Sequence, residues 1–283
     1  MKKIGTVIVG VLIVIGAMIL RELVAAVEIF VYAGYKIING TIKRDEIMTF
    51  IQSMAGNSDL LILISMVGTI VWIIVFGILY KNTRKLERKT LFEGILTWKR
   101  VGILFVMGLG LQFLINSILG IVLKIAPSAL ESYKQVIETL GMGNSLLSLV
   151  YVVVIAPIGE ELVFRATTMH YLKQHLTFFA ANLIQALFFG FFHMNLVQGI
   201  YAFALGLVLG WVAEKYGSIR ESIVLHMAVN ASGCLVGFIM PEALFENGWG
   251  LALLFFVAIC LLVFSGKTVR MEKVRIENMN MVE

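Results

Sequence analysis

The sequence predicts an all-α polytopic membrane protein with about eight transmembrane helices and both termini in the cytoplasm. Three observations carry that prediction. Hydrophobic residues fill 59% of the 283 positions and charged residues only 14%, against about half and about a quarter in an ordinary soluble domain. The charge-free stretches are long enough to cross a bilayer, which takes about 20 apolar residues in a helix. The basic residues fall mostly on one side of the resulting topology. Such a chain is not disordered, not a coiled coil and not an ordinary soluble enzyme. Helices are the available form because an open sheet edge has no hydrogen-bond partner in lipid.

The elements follow in order. Residues 4–20 lack Asp, Glu, Lys and Arg, and the apolar pattern resumes after Arg21 and Glu22 toward Tyr35. The Met1-Lys2-Lys3 start resembles a signal peptide, but no small-residue cleavage site precedes Arg21, so this is expected to be a retained first span. Residues 60–80, 101–123 and 139–159 form the next three. Residues 176–213 make one run of 38, enough for two spans joined by a turn, with the turn expected at His193-Met194-Asn195. Residues 222–241 and 247–266 complete eight. The segments 81–100 and 126–142 have room for short interfacial helices, the first with Leu86, Leu91, Phe92 and Ile95 on one face. There is no visible repeat or low-complexity tract. The chain is expected to be a single membrane domain over 1–283, with N-terminal spans in 1–125, motif-bearing helices in 145–240 and a cytoplasmic tail in 267–283.

Charge placement supports the count. With the N-terminus inside, inside segments hold Lys2, Lys3, Lys81, Arg84, Lys85, Arg88, Lys89, Lys99, Arg100, Lys173, Lys215, Arg220, Lys267, Arg270, Lys273 and Arg275. Outside segments hold only Lys36, Lys43, Arg44 and Lys134. The net charge of +5 is therefore a topology signal, and no nucleic-acid partner is implied. Cys234 and Cys260 lie in apolar stretches and are expected to be packing residues.

Ionisable groups inside spans are costly and ask for a reason. Glu160 and Glu161 are followed by Arg165 within one apolar stretch. Glu161 and Arg165 are four apart and share a helix face. Glu160 points about 100° away on an ideal helix, with no cation on its own face, and is available for general-base or general-acid work. His193 is the only histidine or charged residue in the run of 38. An imidazole there can hold a water, relay a proton or bind a metal. His226 and Asn230 are four apart on one face, and two donors in a dry site can stabilise an oxyanion. His170 and His175 carry no assigned role. Counted from a turn near Gln174–Thr177, Glu160 and His193 lie at comparable heights, roughly 20 and 24 Å at about 1.5 Å per residue. His226 fits less easily, near the inner start of its helix.

Glu160-Glu161-x-x-x-Arg165, Phe189-x-x-x-His193 and His226-x-x-x-Asn230 resemble, in order, the three motifs of the CPBP intramembrane proteases, also called the Abi family. That family covers CAAX proteases and bacteriocin-processing proteins and includes the type II CAAX prenyl endopeptidase. The motif region spans about residues 145–240. The resemblance implies an eight-helix intramembrane peptidase whose site opens toward the cytoplasm. It implies Glu160 as general base, His193 as a partner holding the water, His226 and Asn230 as the oxyanion site, and Glu161 and Arg165 as supports. It implies no metal or other cofactor. There is no His-Glu-x-x-His signature, although Glu160, His193 and His226 are the alternative three-ligand zinc set.

The expected function is hydrolysis of a peptide bond in a membrane-associated peptide or protein. Its role would be bacteriocin or pheromone processing, self-immunity or CAAX-type C-terminal processing. The alternatives are a non-proteolytic immunity or scaffold protein of the same fold, and a transporter, against which the lack of internal duplication speaks. Compact, lysine-rich loops point to a multi-pass protein of a bacterial plasma membrane. The expected partners are the substrate and the lipid bilayer. The residues name neither the substrate nor the oligomeric state. The glycines at 199, 206 and 210 are expected either to pack helices closely or to leave a lateral gap, with packing favoured.

Overall fold

A computed structural model describes residues 2–54, 56–87, 96–128, 131, 135, 145–239 and 247–280. Those residues form helices and no strand. The long elements are α1 (Lys2–Ile38), α2 (Ile47–Met54), α3 (Ser58–Leu86), α4 (Trp98–Ile125), α5 (Leu146–Lys173), α6 (Phe178–Phe192), α7 (Leu196–Tyr216), α8 (Ile219–Ile239) and α9 (Gly248–Asn280). Six of them, α1, α3, α4, α5, α7 and α9 as far as Glu272, are long and apolar enough to cross a membrane. The other two expected spans are α6, with only 15 residues, and α8, which carries Arg220, Glu221, His226 and Asn230. Of the segment 81–100, residues 81–86 continue α3 and 98–100 open α4, while 88–95, with Leu91, Phe92 and Ile95, lie outside the described residues, as does most of 126–142.

Polar caps set the ends of these apolar helices. The Thr97 hydroxyl accepts from the Arg100 N–H to open α4, and the Thr177 hydroxyl from the Ala180 N–H to open α6. Between α6 and α7 the chain turns where expected. His193 caps α6, Met194 takes a left-handed φ of 52°, and the Asn195 side chain accepts from the Gln198 N–H. Gly217, at φ 64°, closes α7 in the left-handed conformation that glycine adopts without strain. The helix expected over 139–159 is instead registered at 146–173, opened by Ser145. Glu160 and Glu161 sit in its middle, as the count from the turn near Gln174–Thr177 requires.

The chain forms two compact units, Met1–Asn82 with Tyr133–Leu176, and Thr83–Ser132 with Thr177–Glu283. In the first, α3 and α5 run parallel. The Ser145 hydroxyl donates to Asp59 Oδ1 at 2.8 Å where both helices begin. Fourteen residues further along α5 and ten further along α3, Gly159 lies against α3, where an added Cβ would stand 2.6 Å from Thr69 Cγ2. α1 runs antiparallel to α3, with Trp72 Nε1 donating to the Ala17 carbonyl at 2.8 Å.

In the second unit α4 is the central helix. α9 lies antiparallel to it along its whole length, through Arg100 with Glu272, Gly110 with Leu261 and Leu262, and Gly120 with Leu251. α8 lies parallel to it, through Arg100 with Glu221, Gly108 with Ala228 and Gln112 with Gly233. Leu104, Met107 and Leu111 of α4 pack with Leu205, Leu209 and Val212 of α7 and Leu225 and Val229 of α8. Lipid tails are as apolar as leucine, so association in a bilayer relies on such close packing more than on the hydrophobic effect. The glycines at 199, 206 and 210 serve the α6–α7 hairpin. Gly199 meets the Gly190 carbonyl, Gly206 meets Ala186, and Gly210 meets Asn182 and Gln185.

Candidate active site

α5 is not one uniform helix. Ala156–Glu161 is α-helical, and Tyr151–Ile155 and Leu162–Met169 on either side are π-helical. Pro157 has no N–H to donate and crowds the preceding turn, which accounts for the wider helix before it. In the second π segment the Thr167 and Thr168 hydroxyls donate to the Leu162 and Val163 carbonyls, five residues back, at 2.9 Å. π turns inside α-helices are rare and gather at functional sites. Here two of them bracket the carboxylate pair.

The carboxylates divide as the spacing predicts. Arg165 Nη1 donates to Glu161 Oε1 at 2.8 Å, and neither side chain is exposed. Glu160 is half-buried. One expectation is corrected: Glu160 is within electrostatic reach of Arg165 as well as of the Tyr151 phenol. An ideal α-helix separates positions 160 and 165 by well over a full turn, whereas the π register brings residues five apart to neighbouring faces.

The second unit holds His193, His226 and Asn230. His193 Nδ1 lies 2.8 Å from the Phe189 carbonyl oxygen. A carbonyl only accepts, so Nδ1 carries the hydrogen and the neutral ring keeps its lone pair on Nε2. The buried Phe189 ring stands edge-on to both imidazoles, 4.9 Å from His193 and 5.8 Å from His226 between centroids. His226, which residue counting leaves near the start of its helix, therefore shares one phenylalanine with His193. The short α6 contributes to this. Its 15 residues span about 22 Å, so a turn at their end falls short of the far side of a core about 30 Å thick. His226 is buried and Asn230 half-buried.

Within either unit, no three His, Cys, Asp or Glu side chains among the described residues gather around a point that could hold a metal ion.

Residues 142–232 match the family of Rce1-like type II CAAX prenyl endopeptidases. The match covers about a third of the chain and encloses Glu160, Glu161, Arg165, His193, His226 and Asn230. It bears out the resemblance to the CPBP proteases, and with six helices long and apolar enough to cross a membrane it supports a multi-pass membrane protease that acts on peptide substrate. No curated protein and no solved structure matches the chain.

Two polar groups around the Rce1-like segment escaped the sequence reading. Arg100, counted there as a loop charge, is buried in the first turn of α4. Its Nε donates to Glu272 Oε1 at 2.8 Å and its Nη1 to Glu221 Oε1 at 3.3 Å, while its guanidinium lies 4.9 Å from the Tyr216 ring centroid. This ties α4, α7, α8 and α9 together at one end. In the α6–α7 hairpin, buried Gln185 donates to the Gly206 carbonyl at 2.9 Å and to Asn182 Oδ1 at 2.7 Å. The pairing of Arg100 with residues more than a hundred positions away leaves no local pattern. Asn182 and Gln185 did carry a signal, two amides three apart in a charge-free run.

Proposed function

We propose that the chain is an intramembrane endopeptidase in which Glu160 takes a proton from a water and that water attacks the scissile carbonyl carbon. His193 holds the same water through Nε2. His226 and Asn230 donate hydrogen bonds to the oxygen as it becomes an oxyanion, an interaction stronger in the transition state than in the ground state. The tetrahedral intermediate then collapses. The C–N bond breaks, and the proton held by Glu160 passes to the leaving amine. Glu161 and Arg165 neutralise each other and hold the helix on which Glu160 sits. No cofactor takes part.

The observation that carries this reading is the division within the glutamate pair: Glu161 is fully buried against Arg165, and Glu160 is half-buried beside it. A purely structural pair would need only Glu161 and Arg165. The matched family's description favours a prenylated C-terminal peptide of CAAX type as substrate. A bacteriocin or pheromone precursor is the other substrate class that the resemblance offers, and compact lysine-rich loops favour a bacterial plasma membrane with both termini in the cytoplasm. The test is cleavage of a panel of farnesylated and unmodified peptides by the purified protein in detergent, comparing wild type with Glu160→Ala and His193→Ala. Both substitutions are expected to abolish cleavage. Cleavage by Glu160→Ala at the wild-type rate defeats the assignment. A cellular immunity phenotype that survives both substitutions favours a scaffold.

A further inference from the structure

Gln112 and Asn116 lie near the middle of α4, four residues apart on one face. Both are half-buried. Gln112 Nε2 donates to Asn116 Oδ1 at 3.0 Å, and among the described residues neither side chain makes another hydrogen bond. At least one acceptor oxygen and three N–H groups therefore remain at mid-span. A polar group facing hydrocarbon without a partner costs several kcal/mol, so these amides must face something polar.

Their surroundings indicate what that is. A Cβ at Gly233 of α8 would lie 3.4 Å from Cδ, Nε2 and Oε1 of Gln112 alike, so the amide lies flat over this glycine. His226, Asn230 and Gly233 occupy positions i, i+4 and i+7, a single stripe on α8. Gln112 therefore extends the row of His226 and Asn230 by one helical turn. Ordinary inter-helix adhesion does not account for the pair, because the amides bond to each other on α4 and not across to α8. A primary amide presents a donor and an acceptor in one plane, which is the complement of a backbone N–H and C=O in an extended peptide. A charged or purely apolar ligand has no use for both.

We propose that Gln112 and Asn116 form a subsite that hydrogen-bonds the backbone of an extended peptide substrate one turn beyond Asn230. This rests on Asn230 acting at the scissile carbonyl, as in the proposed function. The test uses the full chain in detergent on the Glu160→Gln background. The probe is a fluorescein-labelled, S-farnesylated peptide ending in a CAAX sequence. Analogues carry an ester in place of one backbone amide at a time.

Gln112→Leu is expected to weaken binding about tenfold, the loss of a hydrogen bond or two. One ester analogue should bind more weakly to the parent and show no further loss with Gln112→Leu. With Glu160 present, Gln112→Leu should raise KM while kcat stays within about twofold, since a uniformly bound group is removed. If Gln112→Leu does not fold, Asn116→Leu is used in the same cycle. Unchanged affinity, no binding by the parent, or ester effects undiminished in the variant overturn the subsite. So does a loss confined to thermal stability. Cleavage by Glu160→Gln overturns the peptidase reading instead, and the binding cycle still reads the subsite.

Discussion

Gly108→Ala should damage the enzyme far more than one methyl group ordinarily does. At this point on α4 an added Cβ would stand 2.7 Å from Ala228 Cβ and 2.9 Å from the Ala228 carbonyl carbon and the Val229 nitrogen. Relaxed carbon contacts lie at about 3.5–4.0 Å, so α4 and α8 must separate locally by about 1 Å. Two of the three obstructing atoms are backbone and cannot rotate away. Overpacking of this kind costs about 1–3 kcal/mol. Ala228 lies between His226 and Asn230, so the shift moves both donors, and a displacement of about 1 Å can cost about a hundredfold in rate. Gly102 on the same helix is the control, because an added Cβ there meets nothing within 4 Å. Gly102→Ala should be neutral or stabilise by about 0.5–1 kcal/mol through helix propensity. The assay is kcat on a peptide substrate with thermal unfolding in the same detergent. Wild-type kcat and stability in Gly108→Ala would refute the reasoning, as would equal losses in the two variants.

Three further outcomes are expected. Glu161→Gln removes the carboxylate bonded to the buried Arg165 guanidinium and should destabilise the fold by about 3–5 kcal/mol, read as a large fall in unfolding temperature. Gln185→Leu removes the donors to the Gly206 carbonyl and to Asn182 and should cost about 1–3 kcal/mol, with kcat per folded molecule little changed. Chelation of divalent ions should leave cleavage unchanged, and loss of cleavage restored by zinc would show that a metal is required.

What the sequence revealed and what it hid have physical causes. The α6–α7 turn was legible because a charge-free run of 38 residues is too long for one helix and its most polar group, His193, marks where the chain leaves the helix. The Glu161–Arg165 pair was legible because four-residue spacing on a helix is a local rule. The electrostatic reach of Arg165 to Glu160 was not, because it depends on π turns, and only Pro157 hints at these. Arg100 was misplaced because a basic residue next to an apolar run reads as a loop charge. Its partners Glu221 and Glu272 come from helices that only folding brings together. The close approach of α4 and α8 at Gly108 was hidden as well, since a packing glycine and a lipid-facing one look alike in sequence.

The central claim is that Glu160 does the chemistry while its neighbour Glu161 holds the structure. Substituting each by glutamine and measuring cleavage per folded molecule beside unfolding temperature separates the two. Glu160→Gln should keep the wild-type unfolding temperature and lose cleavage by about a hundredfold or more, as removal of a general base does. A Glu160→Gln protein that cleaves at the wild-type rate, or one that loses activity only in step with its stability, would contradict the account.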